Sequence, residues 1–173
     1  MPVFRAGLRA RAVPLPDGPL VSFGLAGALS PEFAAGDLVS ARLIVDAAGR
    51  TLWAGEPVVV AGARTAVLLA ADRVVDDPAE RAELARRTAA DAVDMESGVL
   101  AATGRLAGAV KAIADTPGRP VGRLAFAARP DGSVAWPAVV RAFATQPRTA
   151  APAAADARRA LAALEPAARE LAG

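Results

Sequence analysis

Two carboxylates follow two apolar segments of this chain, and their spacing could bring them together. Glu96 closes the strand-like segment that begins at Ala92, and Asp115 closes the segment that begins at Gly108. The residues 98–107 between them are rich in small and apolar side chains and predict a short crossover helix. Because a strand–helix–strand unit joins parallel strands, we expect both carboxylates at one carboxyl edge of a sheet, where α/β proteins bind ligands. One carboxylate could hold a polyhydroxylated ligand while the other protonates a leaving group.

The composition limits the chemistry that these carboxylates can share with other groups. The chain has 173 residues, neither histidine nor cysteine, and a formal net charge of +2. Disulfides, metal sites built on sulfur or imidazole, and mechanisms with a histidine base are therefore excluded. We expect no metal site and no resident cofactor. Arginine is spread along the chain without a basic tract, so no nucleic-acid partner is expected.

The length and the hydrophobic fraction of 54% predict a single domain over residues 1–173 with a real core. Residues 1–19 form a short N-terminal segment and linker in this prediction, and residues 151–172 form a terminal helix. No apolar run reaches the ~18 residues of a membrane span, and the N-terminus does not resemble a signal peptide. The sequence therefore predicts a cytoplasmic protein.

The remaining elements follow from local patterns. Asp77 followed by Pro78 and Glu80 is a helix start with a capping box, and that helix is expected to run to about Ala90 with its alanines buried. Asp46 to Arg50 predicts a hairpin turn. Further predicted strands are Leu20–Phe23, Leu38–Val45, 58–60, 65–70 and 124–128, and further predicted helices are 136–144 and 154–171.

A strand that runs into small residues gives a second candidate site. Leu20–Phe23 is followed by Gly24, Leu25, Ala26 and Gly27. Glycine there would let backbone N–H groups approach an anion or a sugar closely. A tight turn without a ligand is the alternative interpretation.

Two separated motifs carry a resemblance to a known family. Val93-Asp94-Met95-Glu96-Ser97, followed by Lys111-Ala112-Ile113-Ala114-Asp115-Thr116, resembles the signature of the nucleoside phosphorylase/nucleosidase superfamily. Together with Ala127-Ala128-Arg129-Pro130-Asp131-Gly132, the first motif is most similar to the hopanoid-associated phosphorylase branch. The resemblance implies a three-layer α/β/α fold with a mixed, mostly parallel sheet, here with a shortened N-terminus.

The resemblance also implies roles for individual residues. Asp115 would protonate the departing base, Glu96 would bind the ribose hydroxyls, and Met95 would pack against the sugar. The segment from Gly24 through Leu25 and Ala26 to Gly27 would contact phosphate and ribose. The predicted base pocket consists of Val74, Val75 and Ile113.

Three functions follow from this resemblance, and the sequence leaves them open. The first is phosphorolytic cleavage of the N-glycosidic bond of an adenosyl substrate, with an adenosyl-hopanoid as the lipid implied by the branch and inorganic phosphate as co-substrate. The second is a trimmed, non-catalytic nucleoside-binding or assembly subunit. The third is a hydrolytic nucleosidase acting on methylthioadenosine or adenosylhomocysteine. A small-molecule nucleoside or adenosyl lipid, peripheral membrane contact and a homodimer or higher homo-oligomer are the expected partners.

Overall fold

A computed structural model describes residues 14–119 and 136–172. It contains six strands and four helices in this part of the chain, in the order β1 (Leu20–Ala28), β2 (Leu38–Val45), β3 (Thr51–Ala54), β4 (Ala63–Ala70), α1 (Pro78–Thr88), β5 (Ala92–Asp94), α2 (Ser97–Ala101), β6 (Leu106–Asp115), α3 (Trp136–Thr145) and α4 (Pro147–Ala172). The predicted strand 124–128, the motif 127–132 and the segment 1–13 lie outside the described residues.

The strands form one sheet that closes on itself. Their order is β3-β2-β4-β5-β1-β6, and β2 also pairs with β6, so five strands form a ring and β3 extends it from β2. The β2–β6 closure is antiparallel and involves Leu38 to Ser40 on β2. The structure is therefore a five-stranded barrel-like sheet with one additional edge strand.

The sheet is mixed in direction. Parallel pairs join β1 to β6, β2 to β4 and β4 to β5, whereas β1–β5, β2–β3 and β2–β6 are antiparallel. The predicted α/β class and mixed sheet are thus confirmed. The predicted three-layer arrangement on a mostly parallel sheet is not confirmed, because the strands curl into a ring instead of forming an open sheet.

Alanine is the commonest residue of the core cluster that includes the barrel interior. Barrel diameter grows with strand number, so a five-stranded ring leaves less interior space than an eight-stranded one. The cluster combines six alanines with larger apolar residues; its members are Leu20, Ala26, Ala28, Phe33, Val39, Ala41, Ile44, Ala66, Leu68, Ala92, Leu100, Leu106, Ala109 and Ile113. Alanines at these positions suit a narrow barrel.

The helices cover the barrel on different sides. The long helix α4 packs mainly on β6, where Ala160 and Leu164 meet Ala112. It begins at Pro147, earlier than predicted, and contains Pro152 and Pro166, each of which lacks the N–H that would donate to the preceding turn of the helix. No helix in the described part of the chain is long and apolar enough to cross a membrane.

Helix α1 begins as predicted but buries a different face. Asp77 caps it by accepting a hydrogen bond from the Glu80 backbone N–H, at 2.8 Å. The buried residues are Arg81, Leu84 and Thr88, and the prediction that its alanines are buried is wrong for Ala82 and Ala89. A hydrophobicity pattern cannot indicate that an arginine faces the core. The prediction therefore assigned the buried face of α1 to its alanines instead of to the face that contains Arg81.

Other local predictions can be compared directly. The bounds of β2 match the prediction, and the turn 46–50 contains Gly49 at φ +79°, with Asp46 accepting from two backbone N–H groups. Trp53 packs against the inner core and donates from Nε1 to the Leu106 carbonyl at 2.8 Å. Residues 58–60 are not a strand, so that prediction is wrong.

Gly98 in α2 tests how tightly the barrel end is packed. A Cβ on Gly98 would lie 2.6 Å from the Ala70 Cβ, which cannot rotate away. Although alanine favours helices, we expect Gly98→Ala to lower the free energy of unfolding by about 1–3 kcal/mol through overpacking. Chemical denaturation measures the change. Gly118→Ala is the matched control, because a Cβ there meets nothing within 4 Å; equal effects of both substitutions would contradict the prediction.

Candidate functional site

The two strands that precede the predicted carboxylates run in opposite directions. β1 lies between them, antiparallel to β5 and parallel to β6. The expectation that a parallel β5–β6 unit brings Glu96 and Asp115 to one carboxyl edge is therefore wrong. The connection through α2 is short, with one helix of five residues, and it reverses the chain instead of crossing over the sheet.

A buried polar cluster lies inside the barrel next to Glu96. The Lys111 ammonium on β6 is 2.6 Å from Asp94 Oδ2 and 3.8 Å from Glu96 Oε2. The Ser97 hydroxyl donates to Asp94 Oδ2 at 2.7 Å and lies 3.0 Å from the Ser22 hydroxyl. Lys111 and Asp94 are almost fully buried, so the pairing of their charges is what makes the burial of each tolerable.

This inner cluster retains hydrogen-bonding capacity. Asp94 Oδ1 is buried and has no hydrogen-bond partner among the described residues. Glu96 is half-buried at the N-cap position of α2, beyond the end of β5. A carboxylate in this position, next to an ammonium group, can accept hydrogen bonds from hydroxyl groups of a ligand.

Asp115 belongs to a second buried cluster, beneath α1. Its carboxylate pairs with the Arg81 guanidinium, and both side chains are almost fully buried. Arg81 also donates to the Val75 carbonyl at 2.8 Å and to the Ala28 carbonyl at 3.1 Å. This arginine therefore joins α1, β1 and the end of β6.

The strand register places the two clusters on opposite faces of the β1–β6 pair. Gly24 pairs with Lys111 and Gly27 pairs with Asp115, and these glycines are three positions apart in a strand whose side chains alternate between faces. A Cβ on Gly24 would approach Lys111 Nζ, whereas one on Gly27 would lie 3.0 Å from Asp115 Oδ2. A β-bulge between Ala26 and Gly27 turns Asp115 outwards.

Burial controls the protonation of Asp115. Removal from water raises the pKa of this carboxyl above its ordinary value, and the Arg81 guanidinium partly offsets that rise. Asp76 and Asp156 act in the same direction as burial. A carboxyl with a raised pKa is the form of acid that can donate a proton near neutral pH.

The predicted glycine turn is part of a strand. Gly24, Leu25, Ala26 and Gly27 all lie within β1, so the prediction that they form a loop after the strand is wrong. The strand continues because β6 supplies a ladder partner to each of them. Leu25 is 36% exposed on the outside of the barrel, and its apolar side chain has no hydrogen bond to offer an anion.

The other predicted site residues are dispersed. Val74 is exposed, Val75 packs with Leu84 beneath α1, and Ile113 belongs to the inner core of the barrel. The structure therefore does not assemble the predicted base pocket from these three side chains. Met95 is half-buried between Asp94 and Glu96 at the end of β5.

Two basic residues complete the clusters, and the sequence analysis assigned a role to neither of them. Lys111, the single lysine of the chain, lies in an apolar strand, and that unusual position was an available signal. Arg81 follows the acidic first turn of α1 and looks like an ordinary surface residue in sequence. No group of three or more potential metal ligands occurs within residues 14–119 and 136–172.

Comparison with known proteins gives structural neighbours only. No family model matches the chain, and no curated protein matches it. Solved structures to which it is similar include the 5'-methylthioadenosine/S-adenosyl homocysteine nucleosidase of Campylobacter jejuni, at 22% identity and a TM-score of 0.45, covering 58% of this chain and 57% of that one. The futalosine hydrolase of Helicobacter pylori is similar at 16% identity and a TM-score of 0.45, covering 56% of each chain. The S-adenosylhomocysteine nucleosidase of Streptococcus pyogenes is similar at 19% identity and a TM-score of 0.44, covering 56% of this chain and 54% of that one. This chain spans a little over half the length of each.

The Arg81–Asp115 pair should be essential to the fold. Arg81→Met removes the guanidinium and leaves a buried carboxylate and two backbone carbonyls without their donor. We expect the free energy of unfolding to fall by about 3–5 kcal/mol, measured by chemical denaturation. The control is Arg86→Met on the exposed side of α1, expected to change stability by less than about 0.5 kcal/mol. Similar losses in both variants would contradict the assigned role of Arg81.

The raised pKa of Asp115 predicts a pH dependence of stability. A raised pKa in the folded state means that the native protein binds this proton more tightly than the unfolded chain. The stabilisation is complete below the unfolded pKa and is lost as the pH rises through the folded pKa. We therefore expect the stability difference between the wild type and Asp115→Asn to shrink as the pH rises above the ordinary Asp pKa of 3.8. Denaturation curves over a pH series measure this, and a difference that grows with pH would contradict it.

Proposed function

We propose that this chain binds a purine nucleoside and cleaves its N-glycosidic bond by hydrolysis. The observation that carries the proposal is the state of Asp115, a buried carboxyl of raised pKa opposite Gly27, where no side chain separates it from the β1 backbone. Cleavage of the bond leaves its electron pair on the departing base. A proton from Asp115 neutralises that charge. Water adds to the sugar carbon, and the proton that this water loses passes to solvent, from which Asp115 is protonated again.

The inner cluster supports the second part of the proposal. Glu96 is the acceptor for the ribose hydroxyls, and Lys111 at 3.8 Å keeps a positive charge beside it. Met95 lies next to Glu96 and packs against the sugar. Because Glu96 and Asp115 approach β1 from different faces, the nucleoside extends around the end of the β1–β6 pair, with ribose and base at different clusters.

Hydrolysis is preferred to phosphorolysis because of Leu25. An exposed leucine on β1 offers no side-chain donor to phosphate, and β1 uses its backbone groups in the sheet. The similar solved structures also include a nucleosidase and a hydrolase. Phosphate as a co-substrate is retained as an outcome of the test.

A non-catalytic nucleoside-binding protein is the second candidate. The observation that favours it is the Arg81–Asp115 ion pair, because a carboxylate engaged by a guanidinium is a weaker proton donor. In that case ligand binding would occur without release of a base.

Release of free adenine separates these functions. Purified protein is incubated with methylthioadenosine or adenosylhomocysteine, with and without phosphate, and adenine is measured by chromatography. We expect phosphate-independent release that falls by roughly 10²–10⁴-fold in Asp115→Asn and also falls in Glu96→Gln. Because Asp115→Asn leaves the Arg81 charge unpaired, Glu96→Gln is the arm that tests the site in a protein whose buried ion pair is intact.

Glu83→Gln, on the exposed side of α1, is the control and should keep full activity. Adenine release that depends on phosphate would show that the reaction is phosphorolysis and not hydrolysis. Binding measured by calorimetry without release would support the non-catalytic protein. Neither binding nor release by the wild type would reject the nucleoside assignment.

A further inference from the structure

We propose that a cleft between α4 and the end of β6 binds the anionic group of a small organic molecule. This cleft has a volume of about 350 Å³ and is lined by Phe33, Ala34, Ala35, Thr116, Arg119, Asp156 and Arg159. That volume lies at the lower end of the range of small-molecule sites. The proposal concerns binding alone and does not depend on glycosidic cleavage.

A single buried carboxylate holds both arginines of the cleft. The Asp156 side chain is fully buried, its Oδ2 lies 2.9 Å from Arg119 Nε, and its Oδ1 accepts a hydrogen bond from Arg159 Nη2. Both arginine side chains are about half exposed, at 48% and 53%. Each guanidinium has five N–H donors and Asp156 engages only part of them. The cleft thus has donors that lie beside a buried carboxylate and are still accessible, and Asp156 Oδ2 itself makes no hydrogen bond among the described residues.

The charge count favours an anion. Two guanidinium groups and one carboxylate line the cleft, which leaves one net positive charge. The nearby acidic residues Glu32 and Asp37 do not line it and lie beside Arg64 instead, at 3.8 and 3.9 Å. Planar guanidinium groups bind carboxylate and phosphate oxygens through paired hydrogen bonds.

The backbone around the cleft is fixed before any ligand arrives. Thr116 and Arg119 exchange two backbone hydrogen bonds across a tight turn, which sets the position of Arg119. Gly36 donates its N–H to the Ile113 carbonyl at 2.8 Å. Its φ of +102° lies in the region that favours glycine, and a Cβ there would be in ordinary contact with the Arg159 Cβ at 3.5 Å. Preorganisation of this kind lowers the cost of binding.

The remaining wall of the cleft is apolar. Phe33 is buried, and the Arg64 guanidinium lies 4.1 Å from its ring centroid. Ala34 and Ala35 continue this wall. The chemistry therefore fits a carboxylate or phosphate group attached to a small apolar or aromatic group, and a fully polar anion would leave this wall unused.

Isothermal titration calorimetry with benzoate and with phenyl phosphate tests the proposal, and neutral benzyl alcohol is the uncharged comparison. We expect at least one of the two anions to bind the wild type saturably and benzyl alcohol not to. Loss of charge-assisted hydrogen bonds should weaken binding by roughly ten- to a hundredfold in Arg119→Gln and in Arg159→Gln. Arg159→Lys, which keeps the charge, should retain part of the affinity. The anion that binds more tightly identifies the preferred group.

Arg158→Gln is the matched control, because Arg158 is an exposed neighbour on α4 that does not line the cleft. Its affinity should equal that of the wild type. Failure of both anions to bind the wild type, equal binding of benzyl alcohol, or equal weakening in all three glutamine variants would each overturn the proposal. Arg119→Gln leaves the Asp156–Arg159 pair on α4 intact. If Arg159→Gln does not fold, the affinity of Arg119→Gln for the two anions still tests the proposal.

Discussion

The limited space inside a ring of five strands is the constraint on which this structure depends. Side chains that point inwards must be small or must fit together closely, and alanine is accordingly the commonest residue of the core cluster. Large apolar residues lie between the barrel and its helices, where α1 and α4 provide room. The same constraint isolates polar groups placed inside the ring from water, so that each of them needs a partner within the protein.

The two buried ion pairs answer that requirement in different ways. Lys111 and Asp94 pair inside the ring, with hydroxyl groups of Ser97 and Ser22 nearby. Arg81 and Asp115 pair outside it, under α1, where backbone carbonyls accept the remaining donors of the arginine. A buried ion pair contributes little net stability. Removing one partner is nevertheless costly, because the other charge is then buried without a partner. In this chain the two pairs link β6 to β5 and to α1.

Local structure could be predicted from the sequence wherever a short-range rule determines it. The cap at Asp77, the turn around Gly49 and the bounds of β2 depend on residues close together in the chain, and these predictions agree with the structure. The closure of the ring and the insertion of β1 between β5 and β6 depend on distant pairings that no local pattern encodes. The direction of β5 relative to β6 was for that reason predicted wrongly.

The candidate site shows the same division. Asp115 and Glu96 were recognisable as carboxylates at the ends of apolar segments, but the face that Asp115 occupies depends on one β-bulge between Ala26 and Gly27. A bulge shifts every later side chain to the other face, and glycine and alanine carry no pattern that reveals it. Arg81 was missed because charged residues are almost always exposed.

The shortness of β5 has a consequence for the integrity of the ring. This strand has three residues and meets β1 through two residue pairs and β4 through three, so backbone hydrogen bonds alone hold it weakly. The contact of Asp94 with Lys111 fastens it to the opposite side of the ring. Because that contact is buried, dissolved salt screens it far less than it screens charges on the surface. The ring should thus remain closed at β5 across a wide range of ionic strength.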